Sequence, residues 1–132
     1  MIFKRKFRVR WVDTDTAGVM HFSNYFRYFE ACEEEFYRSL GIDMNQLRDD
    51  HGVLLPRVEA SCKYKAACHF NDEIEVALIV QDVEPKTVTY QFIVTRNGEI
   101  AAEGLVKCIG TNLDWKVVEL PGDFVRIVKS TQ

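Results

Sequence analysis

The chain has 132 residues, 47% hydrophobic and 28% charged with 3 Pro and 7 Gly, the composition of one globular domain rather than of a disordered or collagen-like chain. A formal charge of −3 and the lack of any apolar run near the ~20 residues that cross a bilayer argue against general nucleic-acid binding, membrane insertion and a secretory leader, and favour the cytoplasm. The charge is unevenly spread, because Lys4, Arg5, Lys6, Arg8 and Arg10 crowd the first 11 residues with no acid among them.

Residues 3–11 alternate, with Phe3, Phe7, Val9 and Trp11 on one side and Lys4, Lys6, Arg8 and Arg10 on the other, which predicts a strand with one face buried. After a polar stretch at 13–18, Tyr25, Phe29, Cys32, Phe36 and Leu40 recur at helical spacing. They predict a helix over 23–40, with Ser23 as N-cap and Gly41 as left-handed C-cap. Arg27, Glu30, Glu34 and Arg38 fall on its polar side, but Phe26, Tyr28 and Tyr37 widen the apolar face enough to predict enclosure on several sides. The run Glu33, Glu34 and Glu35, like Glu59, reads as solvated or paired surface.

A helical turn over 44–50, with His51 at its end, precedes β-rich stretches at 53–67, 73–83 and 86–95. Asn71-Asp72 and Glu84-Pro85 are turn signals, and Asn97-Gly98 is the strongest hairpin signal, leading into a strand over 99–109. A final run at 116–120 and a short helical pattern at 123–129 complete the chain. The expected architecture is a single α+β domain over 1–132, an antiparallel sheet of five or six strands curled around one long helix. Cys32, Cys62, Cys68 and Cys108 include no CxxC pair, so they read as reduced, buried thiols and not as a metal site.

The segment between first strand and long helix concentrates the chemistry. It places Asp13, Asp15, Gly18 and His21 just before a helix start, whose free N–H groups and partial positive charge suit a developing oxyanion. A carboxylate there can act as base or nucleophile. The same residues also fit an Asx-type turn around a glycine of unusual φ.

Residues 11–30, WVDTDTAGVMHFSNYFRYFE, closely resemble the signature of the 4-hydroxybenzoyl-CoA thioesterase family of hotdog-fold proteins: D-x-D-x-x-G, a short run, then N-Y opening the helix. The strand order agrees over nearly the whole chain. The resemblance implies a hotdog fold assembled as dimers that pair into tetramers, hydrolysing an acyl-CoA thioester at the subunit interface. It implies no metal or separate cofactor, coenzyme A being part of the substrate. Carried over by position, Asp15 is the catalytic carboxylate, Asp13 supports it, the Phe22 backbone N–H polarises the carbonyl and Gly18 is grouped with it in positioning the substrate. In the branch resembling the Tol-Pal-associated acyl-CoA thioesterases a histidine stands where this chain has Phe22. His21, one place earlier, is therefore assigned to packing or hydrogen bonding at the helix start, with substrate placement as the alternative. His69, Lys63 and Lys65 are candidate substrate contacts, and the leading-strand cations are further candidates for the coenzyme A phosphates. Two rival functions share the fold: a non-catalytic acyl-CoA-binding domain and a hydratase or dehydratase.

Overall fold

The computed structural model describes residues 2–132. Five strands form one antiparallel sheet in the order β1-β3-β4-β5-β2: β1 Phe3–Arg8, β2 Arg57–Tyr64, β3 Glu73–Val83, β4 Thr87–Arg96 and β5 Glu99–Ile109. The long helix α1, Tyr25–Ser39, packs on the sheet, followed by α2, Met44–His51, while α3, Gly122–Lys129, closes the chain. This is the expected α+β arrangement, at the lower of the two strand counts. β4 and β5 meet at Asn97 and Gly98, both at positive φ (52° and 78°), the geometry a two-residue hairpin turn requires. Register shifts within the β3–β4 and β4–β5 pairs add local twist, curving the sheet around α1.

The helix is held by aromatic packing. Phe29 stacks on Phe92 with centroids 4.7 Å apart, Phe36 meets Phe3 and Tyr90 edge-on, and the Tyr37 and Tyr90 hydroxyls share a 2.7 Å hydrogen bond. Gly104 on β5 leaves room for the Phe29 ring, into which any Cβ would project. Gly104→Ala is therefore expected to destabilise the fold by about 1–3 kcal/mol through overpacking, read as a lower urea midpoint at unchanged m-value.

Several details depart from the sequence expectations. β1 ends at Arg8 because β3, its partner strand, begins opposite it at Glu73. Val9 is then held by backbone bonds to Asn71 and Asp72, after which a 3-10 turn, Trp11–Asp13, carries Trp11 out to 77% exposure rather than into the core. A 3-10 turn, Phe22–Asn24, leads into the long helix and is capped by His21, whose Nδ1 accepts the Ser23 N–H, while the N-cap residue of α1 is Asn24 and not Ser23. The run at 116–120 joins no strand; it folds back on 110–112 with one isolated bridge, Thr111 to Val117. Glu33 is buried, not solvated, and ion-paired to Arg57 with N–O distances of 2.8 and 3.1 Å. Lys4, Lys6 and Arg8 pair with Glu75 and Glu73 of the neighbouring strand, so much of the basic charge at the chain start is balanced locally. All four thiols are free, three buried and Cys62 half-buried. No helix among the described residues is long and apolar enough to cross a membrane, and no cluster there could hold a metal ion.

Candidate active site

The loop between β1 and α1 is a tight hairpin. Thr14 and Met20 form a bridge, the Asp15 N–H donates to the Val19 carbonyl, and the Gly18 N–H donates to the Asp15 carbonyl. Closing so short a loop needs Gly18 at φ 80°. Its far side is fastened to the 67–72 segment by the Val19–His69 bridge and by the Met20 N–H donating to the Cys68 carbonyl. Asp15 sits exposed on this loop, with one carboxylate oxygen accepting the Ala17 N–H at 2.8 Å and the other without a protein partner among the described residues. The Asx turn and the catalytic assignment are thus compatible: one oxygen orients the carboxylate and the second is left for chemistry.

Asp13 behaves differently. It is buried, its carboxylate accepts the Tyr28 hydroxyl at 2.7 Å, and Arg27 stands 3.5 Å away. Burial pushes the Tyr28 hydroxyl up to about 12, so it remains a donor at working pH. The Asp13 carbonyl accepts both the His21 N–H and the Asn24 side-chain amide. Asp13 therefore ties the loop to the helix start, a supporting role, and its carboxylate is already fully engaged.

At the helix start the donors of residues 21–24 are nearly all committed: His21 to Asp13, Ser23 to the His21 ring, Asn24 to the His21 carbonyl. The Phe22 N–H alone among these four has no acceptor within the described residues. Its side chain is exposed and stacks loosely on His21, which also bonds the Ser23 hydroxyl at 2.7 Å. Between the loop and β2 runs a groove of about 410 Å³ lined by Asp15, Val19, Met20, Phe22, Tyr25 and Tyr64, with Lys65 at its rim. One cavity thus borders both the free carboxylate oxygen's residue and the residue bearing the free N–H.

The other candidates are distributed around this groove. Lys65 lines it and is ion-paired to Glu103 at 3.3 Å. Lys63 is exposed on β2 with no ion pair among the described residues. His69 flanks the loop through its bridge to Val19, but does not line the groove and lies 3.6 Å from Asp72. Tyr64, which sequence reasoning passed over, lines the groove and donates its hydroxyl to the Phe22 carbonyl at 2.8 Å.

The sequence pattern of the thioesterase-like superfamily matches residues 9–128, nearly the whole chain. The chain belongs to that superfamily. A crystal structure of a hypothetical protein from Aquifex aeolicus superposes with a TM-score of 0.88 at 31% identity, covering 96% of this chain and 98% of that one. A 1,4-dihydroxy-2-naphthoyl-CoA hydrolase of Nostoc punctiforme is 27% identical across 100% of this chain and 90% of its own. An acyl-CoA thioesterase of Haemophilus influenzae is 25% identical over 76% of this chain and 74% of its own. The hotdog fold and the family implied by the Asp13-to-Tyr25 motif are both those of the superfamily.

Proposed function

We propose that the chain hydrolyses an acyl-CoA thioester to the free acid and coenzyme A. The observation that carries this is the pairing of the unpartnered Phe22 N–H at a helix start with the half-free Asp15 carboxylate, both at one groove. With the thioester carbonyl at the Phe22 N–H, the helix end stabilises the oxyanion of the tetrahedral intermediate. Asp15 either accepts a proton from the attacking water or attacks the carbonyl itself to form a mixed anhydride that water then cleaves. In either route the C–S bond breaks, coenzyme A leaves as thiolate and is protonated, and no metal or redox group is needed. Label found in Asp15 after single-turnover hydrolysis in ¹⁸O-labelled water identifies the anhydride route, because only water attacking the Asp15 carbonyl of the anhydride leaves it there.

The relatives' names point to acyl-CoA esters, 1,4-dihydroxy-2-naphthoyl-CoA among them, and Lys65, which lines the groove, with Lys63 two residues earlier, are the groups we assign to the coenzyme A phosphates. Thiol titration with benzoyl, dihydroxynaphthoyl, short-chain and long-chain CoA esters tests the activity. No release from any ester would support the non-catalytic binding domain; double-bond hydration without release would support the hydratase. Four free thiols fit a reducing, cytoplasmic setting.

We further propose a homodimer, or a tetramer built from it, joined at β2. Among the described residues β2 pairs only with β5, and its other edge presents unpaired backbone groups beside the exposed Val58. A second copy satisfies that edge by continuing the sheet. Val58→Lys together with Ser61→Pro is expected to halve the mass seen by light scattering, while a monomeric unaltered protein would exclude the assembly.

A further inference from the structure

Resting on the thioesterase reading, we infer that Tyr64 and His21 are positioning residues that grip the Phe22–Ser23 peptide from opposite ends and thereby fix the direction of the Phe22 N–H. A peptide group is planar, so bonding both its carbonyl and its N–H leaves it little freedom. Here the carbonyl end accepts the Tyr64 hydroxyl at 2.8 Å, and the N–H end donates to His21 Nδ1 at 3.3 Å. The preceding peptide, which carries the Phe22 N–H, is held at its carbonyl by the Asn24 N–H at 2.9 Å. Every bond in this stretch therefore constrains the one donor that has no protein acceptor.

Tyr64 supplies the only tether among these that comes from the sheet, 42 residues away in sequence. Its ring is set by edge-on contacts to Tyr25 at 5.0 Å and Phe22 at 6.5 Å, so the hydroxyl reaches the carbonyl in a defined orientation. Burial, aided by Cys62, pushes that hydroxyl up to about 12, which keeps it a donor throughout the neutral range. An oxyanion donor acts only when aimed at the oxygen as charge develops, so loosening it lowers the rate of the chemical step more than substrate binding.

Tyr64→Phe keeps the ring and the groove wall and removes only the donor. It is expected to lower kcat by about 10–100-fold with KM within about threefold, and to raise amide hydrogen exchange at Ser23 and Asn24 by about tenfold at unchanged Tm. His21→Ala is expected to act in the same direction, and His21→Asn, which restores a capping acceptor, to recover most of the loss. A fall in kcat without faster exchange would overturn the inference by placing Tyr64 on the substrate itself. Faster exchange with kcat within twofold of the unaltered protein would overturn it by making the grip irrelevant to turnover. Exchange is read without substrate, so it still decides whether the grip exists if Asp15→Asn turns over normally and the thioesterase reading fails.

Discussion

Asp15→Asn is expected to lower kcat by about three orders of magnitude or more, equivalent to about 4 kcal/mol of transition-state stabilisation, with KM and folding stability nearly unchanged. The asymmetry between its two oxygens makes the substitution clean. The amide oxygen of Asn can still accept the Ala17 N–H that shapes the loop, and the Asp15 side chain is exposed, so neither the turn nor the core is disturbed. What disappears is the charge needed to take a proton from water or to attack the carbonyl. Asp13→Asn should behave in the opposite way, because that carboxylate is buried against the Tyr28 hydroxyl and braces the loop. Its loss is expected to appear first as a lower Tm. Stopped-time thiol titration with the best ester, beside thermal melts of both variants, separates the two roles; near-normal turnover by Asp15→Asn would remove Asp15 from the chemistry.

The loop to which we assign the chemistry was legible because its parts lie within a few residues of one another. Asp13, Asp15, Gly18 and the helix start are joined by local bonds, so spacing alone carries their relation. The hairpin at Asn97-Gly98 and the apolar stripe of α1 were legible for the same reason. What spacing could not show was long-range pairing. The alternation of the first strand runs on to Trp11, but a strand lasts only as long as its partner, and β3 offers nothing beyond Glu73. At the end of β2 the cations Lys63 and Lys65 stand out in the sequence while Tyr64 between them does not, since its meaning lies in a carbonyl 42 residues upstream. Glu33 sat in a run of three glutamates that looks like solvated surface, and only the Arg57 side chain arriving from β2 makes its burial tolerable.

That ion pair sets the second large effect, on stability rather than catalysis. Glu33 is 3% exposed, and Arg57 binds it in two-pronged fashion while also donating to Cys108 Sγ at 2.6 Å. Burial raises the Glu33 carboxyl above its ordinary range, and Arg57 is the largest influence pulling it back. Arg57→Leu removes that counterweight and leaves a buried carboxyl with no cation in hydrogen-bond reach, a change expected to cost about 3–5 kcal/mol at neutral pH. The cost should depend on pH with a definite sign. In the unfolded chain the carboxyl ionises near its ordinary value of about 4.3, whereas in the folded variant it holds its proton to higher pH. The folded state then binds more protons and loses stability as pH rises; because Arg57 holds the carboxyl of the unaltered protein lower, the variant goes on losing stability after the unaltered protein has stopped, by up to about 1.4 kcal/mol per unit until its own folded group ionises. Urea unfolding of both proteins between pH 5 and 8 should show the gap widening with pH. Adding Glu33→Leu to Arg57→Leu should abolish the widening and recover part of the midpoint, because two apolar side chains leave no charge to desolvate. A gap of constant size across that range would mean that Glu33 stays ionised without Arg57, and that the Tyr37 side chain, its other hydrogen-bond partner, is enough to hold the charge.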